Sequence, residues 1–290
     1  MEFNVTLSDP ALVTPCFDDL MAVLGHTLRD LGHAVVDLGG FDPRRINIVF
    51  GYYLAPQAFS EPCIVYQLEP VTDNMVASGM VPVDLLRRHL VWDYNRRNIE
   101  QLRRYDVTAH YVPPGFHPVQ RRLLPSTETS TDVLFYGKRT PRRARILELL
   151  REAGLRVRWV HDAYGPRLDP DIARSKVVLC LHSHEWMSVL ESVRVTYLMA
   201  NRKAVVAEVN PGDDADGLSD GILGVHYDGL VEACLSLVYD DLARAELEDA
   251  AFRTIAARPY LDVLARVIPR ASPPAAVPVP GGVAGPGVAG

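Results

Sequence analysis

The chain is short of cysteine, lacks any long apolar run and carries no surplus of positive charge; each shortage closes off a class of protein. Its four cysteines, Cys16, Cys63, Cys180 and Cys234, are scattered through 290 residues with no CxxC spacing. No thiolate metal site or redox pair is expected, and each cysteine sits in or beside an apolar segment, as a buried free thiol does. Free thiols in turn imply a cytoplasmic setting. The longest apolar runs, such as Val177 to Leu181, are strand-length, far short of the ~20 residues that cross a membrane. Met1 to Leu7 alternates and carries Glu2 where a basic leader would stand, so no secretory leader is expected. A net charge of −6 disfavours a protein whose main task is gripping nucleic acid, which needs a basic surface.

Three catalytic signatures are missing as well. No GxGxxG follows a strand, so a nicotinamide or flavin site is not supported; Gly39-Gly40 and Gly51 stand alone. Neither a P-loop nor the GxSxG elbow of the α/β-hydrolases occurs.

What is present is a soluble globular composition, 48% apolar and 23% charged, with enough apolar surface for a substantial core. The length suits one large domain or two ordinary ones. Phe3 to Leu7, Ala34 to Leu38, Ile46 to Tyr52 and Cys63 to Leu68 read as strands, and Cys16 to Leu31 as a helix stopped by Gly32. Val83 to His89 and Asn95 to Tyr105 read as helices separated by the short run Leu90 to Trp92. Ala109 to Val112 closes the half before Pro113-Pro114-Gly115. Arg121 to Thr131 has no periodicity and is rich in Ser, Thr and Pro, as a linker is.

The second half alternates more cleanly. Strands are expected at Asp132 to Tyr136, Leu155 to Val160, Val177 to Leu181, Ala204 to Val209 and Ile222 to Tyr227. Helices are expected at Arg142 to Ala153, capped by Thr140-Pro141, then Asp169 to Arg174, Glu191 to Asn201, Gly229 to Tyr239 and Asp241 to Ala257. Continuous apolar strands mean sheets covered on both faces, the parallel doubly wound arrangement. The expected architecture is therefore α/β, with two Rossmann-like domains facing across a cleft. Residues 1–120 form the first, 121–131 the linker and 132–257 the second. An amphipathic segment follows at 258–270. The tail, 271–290, contains only Ala, Ser, Pro, Val and Gly and is too poor in large apolar groups to fold. Ligands in such sheets bind at the carboxyl ends of the strands, which face the cleft.

The strongest local signal is Asp132-Val-Leu-Phe-Tyr-Gly-Lys-Arg-Thr-Pro-Arg-Arg143. A strand ends at Gly137 and a helix begins at Pro141, offering unpaired N–H groups and a partial positive charge. Lys138, Arg139, Arg142 and Arg143 add cations that oppose the helix dipole unless an anion is bound. The segment is an anion site or a basic surface turn. The other arginine clusters, Arg87–Arg88, Arg96–Arg97, Arg103–Arg104 and Arg121–Arg122, read as solvated faces. His182-Ser-His-Glu185 lacks metal-site spacing, which leaves His182 and His184 as strand-end ligand contacts or as an incidental turn. Glu191 and Arg194 share a helix face, as a structural pair or as a contact for a ribose or sugar hydroxyl. Glu208 ends the strand Ala204 to Val209 at the same edge. In the first half, Glu69 and Trp92-Asp93-Tyr94 are the candidates on the acceptor side.

Val91-Trp-Asp-Tyr-Asn-Arg-Arg-Asn-Ile99, Tyr111-Val-Pro-Pro-Gly-Phe116, Asp132 to Gly137 with Arg142-Arg143, and Ser175-Lys-Val-Val-Leu-Cys-Leu-His182 followed by Glu191, Arg194 and Val205-Val-Ala-Glu208 together resemble landmarks of bacterial group 1-type GT-B glycosyltransferases. The spore-maturation glycosyltransferases are a neighbouring branch. The likeness runs from about Phe3 to Ile255. It implies transfer of a sugar from a nucleoside diphosphate to an acceptor, with no cofactor beyond that donor. The Gly137 loop with Lys138, Arg142 and Arg143 would hold the diphosphate, Tyr164-Gly165 would lie near the base, and Glu191 near the ribose or sugar. Catalysis would fall to Glu191 and Glu69, and fixed cations would stabilise the leaving group without a metal. The last helix, around Tyr260 to Ile268, would cross back to the first domain. Many retaining members carry two glutamates with seven residues between them on the helix before the Val-Val-Ala strand; here Val189 and Tyr197 occupy those places. A non-catalytic nucleotide- or glycan-binding scaffold and a sugar-nucleotide epimerase are the competing readings. The acceptor is a small molecule, glycan, protein or modified DNA, the last disfavoured by the net charge.

Overall fold

A computed structural model describes residues 1–9, 11, 15–36, 40–55, 63–124, 126, 128–161, 163–187, 189–210 and 217–268. The tail, and positions 125 and 127 of the expected linker, lie outside the described residues.

The first half runs β1 (Glu2–Leu7), α1 (Asp18–Asp30), β2 (Ala34–Val36), β3 (Ile46–Phe50), β4 (Ile64–Gln67), α2 (Asp73–Ala77), α3 (Val83–Leu86), β5 (Leu90–Asp93), α4 (Arg96–Arg103) and β6 (Ala109–Tyr111). Its strands form one parallel six-stranded sheet in the order β2-β1-β3-β4-β5-β6. Successive side chains go to opposite faces. Ile48, Phe50, Ile64, Tyr66 and Trp92 pack on the α1 side, while Val49, Val65 and Val91 pack with Met75, Leu86 and Leu102 on the other. Both faces are covered, which is why these strands are apolar without alternation.

The second half runs β7 (Thr131–Tyr136), α5 (Pro141–Glu152), β8 (Val157–Val160), α6 (Asp169–Ala173), β9 (Ser175–Cys180), α7 (Ser192–Ala200), β10 (Ala204–Glu208), β11 (Leu223–Val225), α8 (Leu230–Tyr239), α9 (Asp241–Ala256) and α10 (Tyr260–Val267). The sheet is parallel, in the order β11-β10-β9-β7-β8. The same division recurs: Leu134, Val178 and Val205 face α7 and α9, and Val133, Val177 and Val206 face α5 and α8.

Three expectations change. Leu90 to Trp92, a mere break between helices by periodicity, is the core of β5, paired with β4 and β6. The helix expected over Val83 to His89 stops at Leu86, because Leu90 must already donate its N–H to the Cys63 carbonyl at 3.1 Å. α2 was not anticipated; the Thr72 hydroxyl caps it by accepting from the Met75 N–H at 3.2 Å.

Two chain crossings join the halves, and they touch. Phe116 donates its N–H to Arg258 and accepts one from Tyr260, both at 2.8 Å. Gly115 makes this possible, since a Cβ there would stand 2.7 Å from the Tyr260 Cα. α10 then packs on α1, and Tyr260, Leu264, Val267 and Ile268 are buried in the first half's core. Residues 120–123 are seated on the end of α7: Asn201 accepts from the Arg122 and Leu123 N–H groups, each at 3.1 Å, and donates to the Gln120 carbonyl at 2.8 Å.

Candidate functional site

The carboxyl ends of the two sheets face one another across a cleft of about 380 Å³. Loops following β4 and β5 and the start of α1 make one wall. The opposite wall is built from the loops after β7 and β8, from α6 and from the start of α7.

On the second wall, β7 delivers Gly137 with φ +146°, a conformation in which a side chain is strained. A Cβ at this point would stand 3.4 Å from Arg143 Nη1 and 3.6 Å from Arg194 Nη2, so glycine lets both guanidiniums close on the loop. Trp159 fixes the loop from behind by donating its indole N–H to the Gly137 carbonyl at 3.1 Å. Thr140 caps α5 by accepting from the Arg143 N–H. Arg143 is buried and donates to the Leu181 carbonyl (2.9 Å), the Lys138 carbonyl (3.1 Å) and Glu191 (3.2 Å). Arg194 reaches the other Glu191 oxygen at 2.5 Å and lies over the Tyr136 ring. One carboxylate is thus clasped by two guanidiniums. Burial lowers the pKa of Arg143, opposed by Glu191. For Arg194, burial also works against the charge, but Glu191, Tyr136 and Cys180 outweigh it and raise the pKa. Both guanidiniums stay charged.

Gly137, Lys138, Arg143, Tyr164, Gly165, Glu191 and Arg194 all line the cleft. The other donor-side candidates do not. Arg142 turns away and forms a two-pronged pair with Glu208, at 2.7 and 2.5 Å, while also donating to the His182 carbonyl. Glu208 is 1% exposed and accepts from the His182 N–H at 3.0 Å, so the pair ties β10 to the end of β9. His182 is buried, with Nδ1 3.8 Å from Glu208. Arg139 lies over Trp159, and His184 stacks on Trp186. The four cations expected to crowd one helix end are therefore dispersed, two of them onto carboxylates.

On the first wall, Glu69 and Tyr94 line the cleft. Burial raises the pKa of Glu69, partly offset by its hydrogen bond with Tyr53. Trp92 is fully buried in the core and contacts Tyr66 edge-on, so its expected place on the acceptor side is corrected. Asp93 is equally buried and serves as a brace: it accepts from Gln67 (2.9 Å), the Asn95 N–H (2.8 Å) and Asn98 (3.2 Å). Gln67 and Asn98 each donate to the Glu69 carbonyl, at 2.7 and 2.9 Å, and Asn98 also holds Val71. Asp93 thus positions the loop that carries Glu69.

Sequence reasoning missed an ionic strap beside the cleft. Arg122 donates to Asp19 of α1 at 2.6 Å and to Asp169 of α6 at 2.8 Å, with its guanidinium over the Tyr197 ring. Tyr197 lines the cleft and donates to Asp169 at 2.6 Å. Val189, at the other glutamate position of the family pattern, packs with the first half's core. Cys63, Cys180 and Cys234 are buried, but Cys16 is exposed at the cleft, against expectation. Among the described residues, no helix is long and apolar enough to cross a membrane, and no three His, Cys, Asp or Glu side chains gather to hold a metal.

No family model and no curated protein sequence matches the chain. Solved structures do. Anabaena HepE, in complex with UDP-glucose, superposes with a TM-score of 0.65 at 12% identity, over 93% of this chain and 99% of the other. WaaG, a glycosyltransferase involved in lipopolysaccharide biosynthesis, gives 0.61 at 9% identity over the same shares, 93% and 99%. T4 phage BGT, in complex with its UDP-glucose substrate, gives 0.59 at 11% over 92% and 99%. The chain has the GT-B architecture that these structures share.

Proposed function

We propose that this chain transfers a glycosyl group from a nucleoside diphosphate sugar to a hydroxyl acceptor. The observation that carries the reading is the Arg143–Glu191–Arg194 clasp beside the Gly137 loop, at the carboxyl edge of the second sheet. Two fixed guanidiniums and Lys138 form a preorganised site for a diphosphate, and they stabilise the charge that develops as it leaves, without recourse to a metal. In this reading Tyr164 and Gly165, which line the cleft, receive the base, and Glu191 accepts from a ribose or sugar hydroxyl. Glu69, across the cleft, takes the proton of the acceptor hydroxyl as the new bond forms. The bound UDP-glucose of HepE and of BGT supports a donor of this chemical class. The quoted residue pattern supports the group 1-type branch with its spore-maturation neighbours, and the free thiols fit a reducing, cytoplasmic setting.

The second reading, a binding scaffold without turnover, is favoured by Val189 and Tyr197 standing where the family pattern has glutamates. Mixing donor with acceptor candidates and following release of free nucleoside diphosphate separates the two. Turnover is expected, and its absence in the presence of tight donor binding favours the scaffold. Retained turnover in Glu191→Gln shows that the Glu191 carboxylate is not required for catalysis.

A further inference from the structure

The cleft is electrically lopsided. Its cations, Lys138, Arg143 and Arg194, all stand on the second wall. The first wall offers Pro15, Phe17, Leu68, Pro70 and Tyr94, interrupted by Cys16 and two carboxylates. Among the described residues no Lys or Arg lines it. Asp19 is paired with Arg122, which it shares with Asp169. Among the described residues no cation stands beside Glu69, whose side chain is hydrogen-bonded with the Tyr53 hydroxyl.

A phosphate or carboxylate on an acceptor would lose water to enter this wall and would then meet Glu69 with no counter-ion. A neutral hydroxyl can donate to Glu69 while its apolar flank lies on Phe17 and Leu68. We infer that the acceptor is a small uncharged alcohol or phenol with an apolar or aromatic flank, not a phosphorylated, carboxylated or nucleic-acid acceptor. This rests on the transfer reading above. In the step itself, the acceptor proton passes to the Glu69 carboxylate as the acceptor oxygen bonds to the anomeric carbon. The bond from that carbon to the donor phosphate oxygen breaks, and the nucleoside diphosphate leaves with its electron pair.

Cys16, the exposed cysteine of the four, allows a test on the intact protein that does not depend on turnover. The rate of its modification by neutral methyl methanethiosulfonate is followed by peptide mass, with and without two probes of one shape: dihydroxynaphthalene, which is neutral, and hydroxynaphthoate, which is anionic. Dihydroxynaphthalene is expected to slow modification at concentrations about tenfold below those needed for hydroxynaphthoate, since a like charge near Glu69 opposes entry. Glu69→Gln is expected to narrow that gap to a few-fold. Equal or better protection by hydroxynaphthoate overturns the inference, and so does protection by neither probe. Donor binding is titrated separately, so a failed donor titration removes the transfer reading while Cys16 protection judges the acceptor class alone.

Discussion

Arg142 and Arg143 are neighbours in sequence and strangers in role. Arg143 points into the cleft, and charge-assisted contacts to phosphate contribute about 1.5–3 kcal/mol each. Arg143→Ala is expected to weaken nucleoside diphosphate sugar binding about tenfold or more by calorimetry. Arg142→Ala instead strands the buried Glu208 without its main partner, at a cost of roughly 3 kcal/mol. Its signature is a lower denaturant midpoint, with donor affinity in the folded protein changed much less. Glu69 gives a pH prediction. Burial raises its pKa, so a carboxylate acting as base is ionised above that raised value and lost below it. The acid limb of kcat/KM should therefore lie above the ordinary glutamate value of about 4.3. Glu69→Gln should remove that limb and cut kcat about 10²-fold or more, leaving donor affinity in place. An acid limb that persists in Glu69→Gln assigns the base elsewhere.

At the scale of elements, the second half was the more legible. Thr140-Pro141 marked the start of α5 and Gly137 the end of β7, because cap and breaker chemistry is local. What sequence could not reveal was pairing across distance. Nothing local joins Arg122 to Asp19 and Asp169, or Arg142 to Glu208 66 residues on. Trp92 and Asp93 looked like exposed motif residues because β5 is too short for periodicity to separate from its flanking helices. The strap and the crossings are open to test. Arg122→Ala removes two charged hydrogen bonds between linker, α1 and α6, and a loss of about 1–2 kcal/mol by denaturant unfolding is expected. Gly115→Ala drives a methyl group into the Tyr260 backbone and should cost about 1–3 kcal/mol. If Gly115→Ala unfolds like the parent, the two crossings are not held as tightly as their hydrogen bonds imply.

For the whole molecule, two parallel sheets facing across a cleft were readable from the alternation of apolar runs and helices. Each buried strand had to be apolar on both faces, and helices fill the crossovers into β2, β5, β6, β8, β9 and β10. The chemistry of the site was less legible, because it depends on which side chains the cleft gathers and which the fold turns inward. Of the cations around Gly137, two reach the cleft, and a third arrives from α7. Their placement against Glu191 makes a donor site the central claim. The direct test is calorimetric titration of uridine, guanosine and thymidine diphosphate sugars into the parent protein and Arg143→Ala. The account predicts that at least one binds the parent with a dissociation constant below a millimolar and about tenfold or more weaker to the variant. No binding by any of them at millimolar concentration, or equal binding to both proteins, would contradict it.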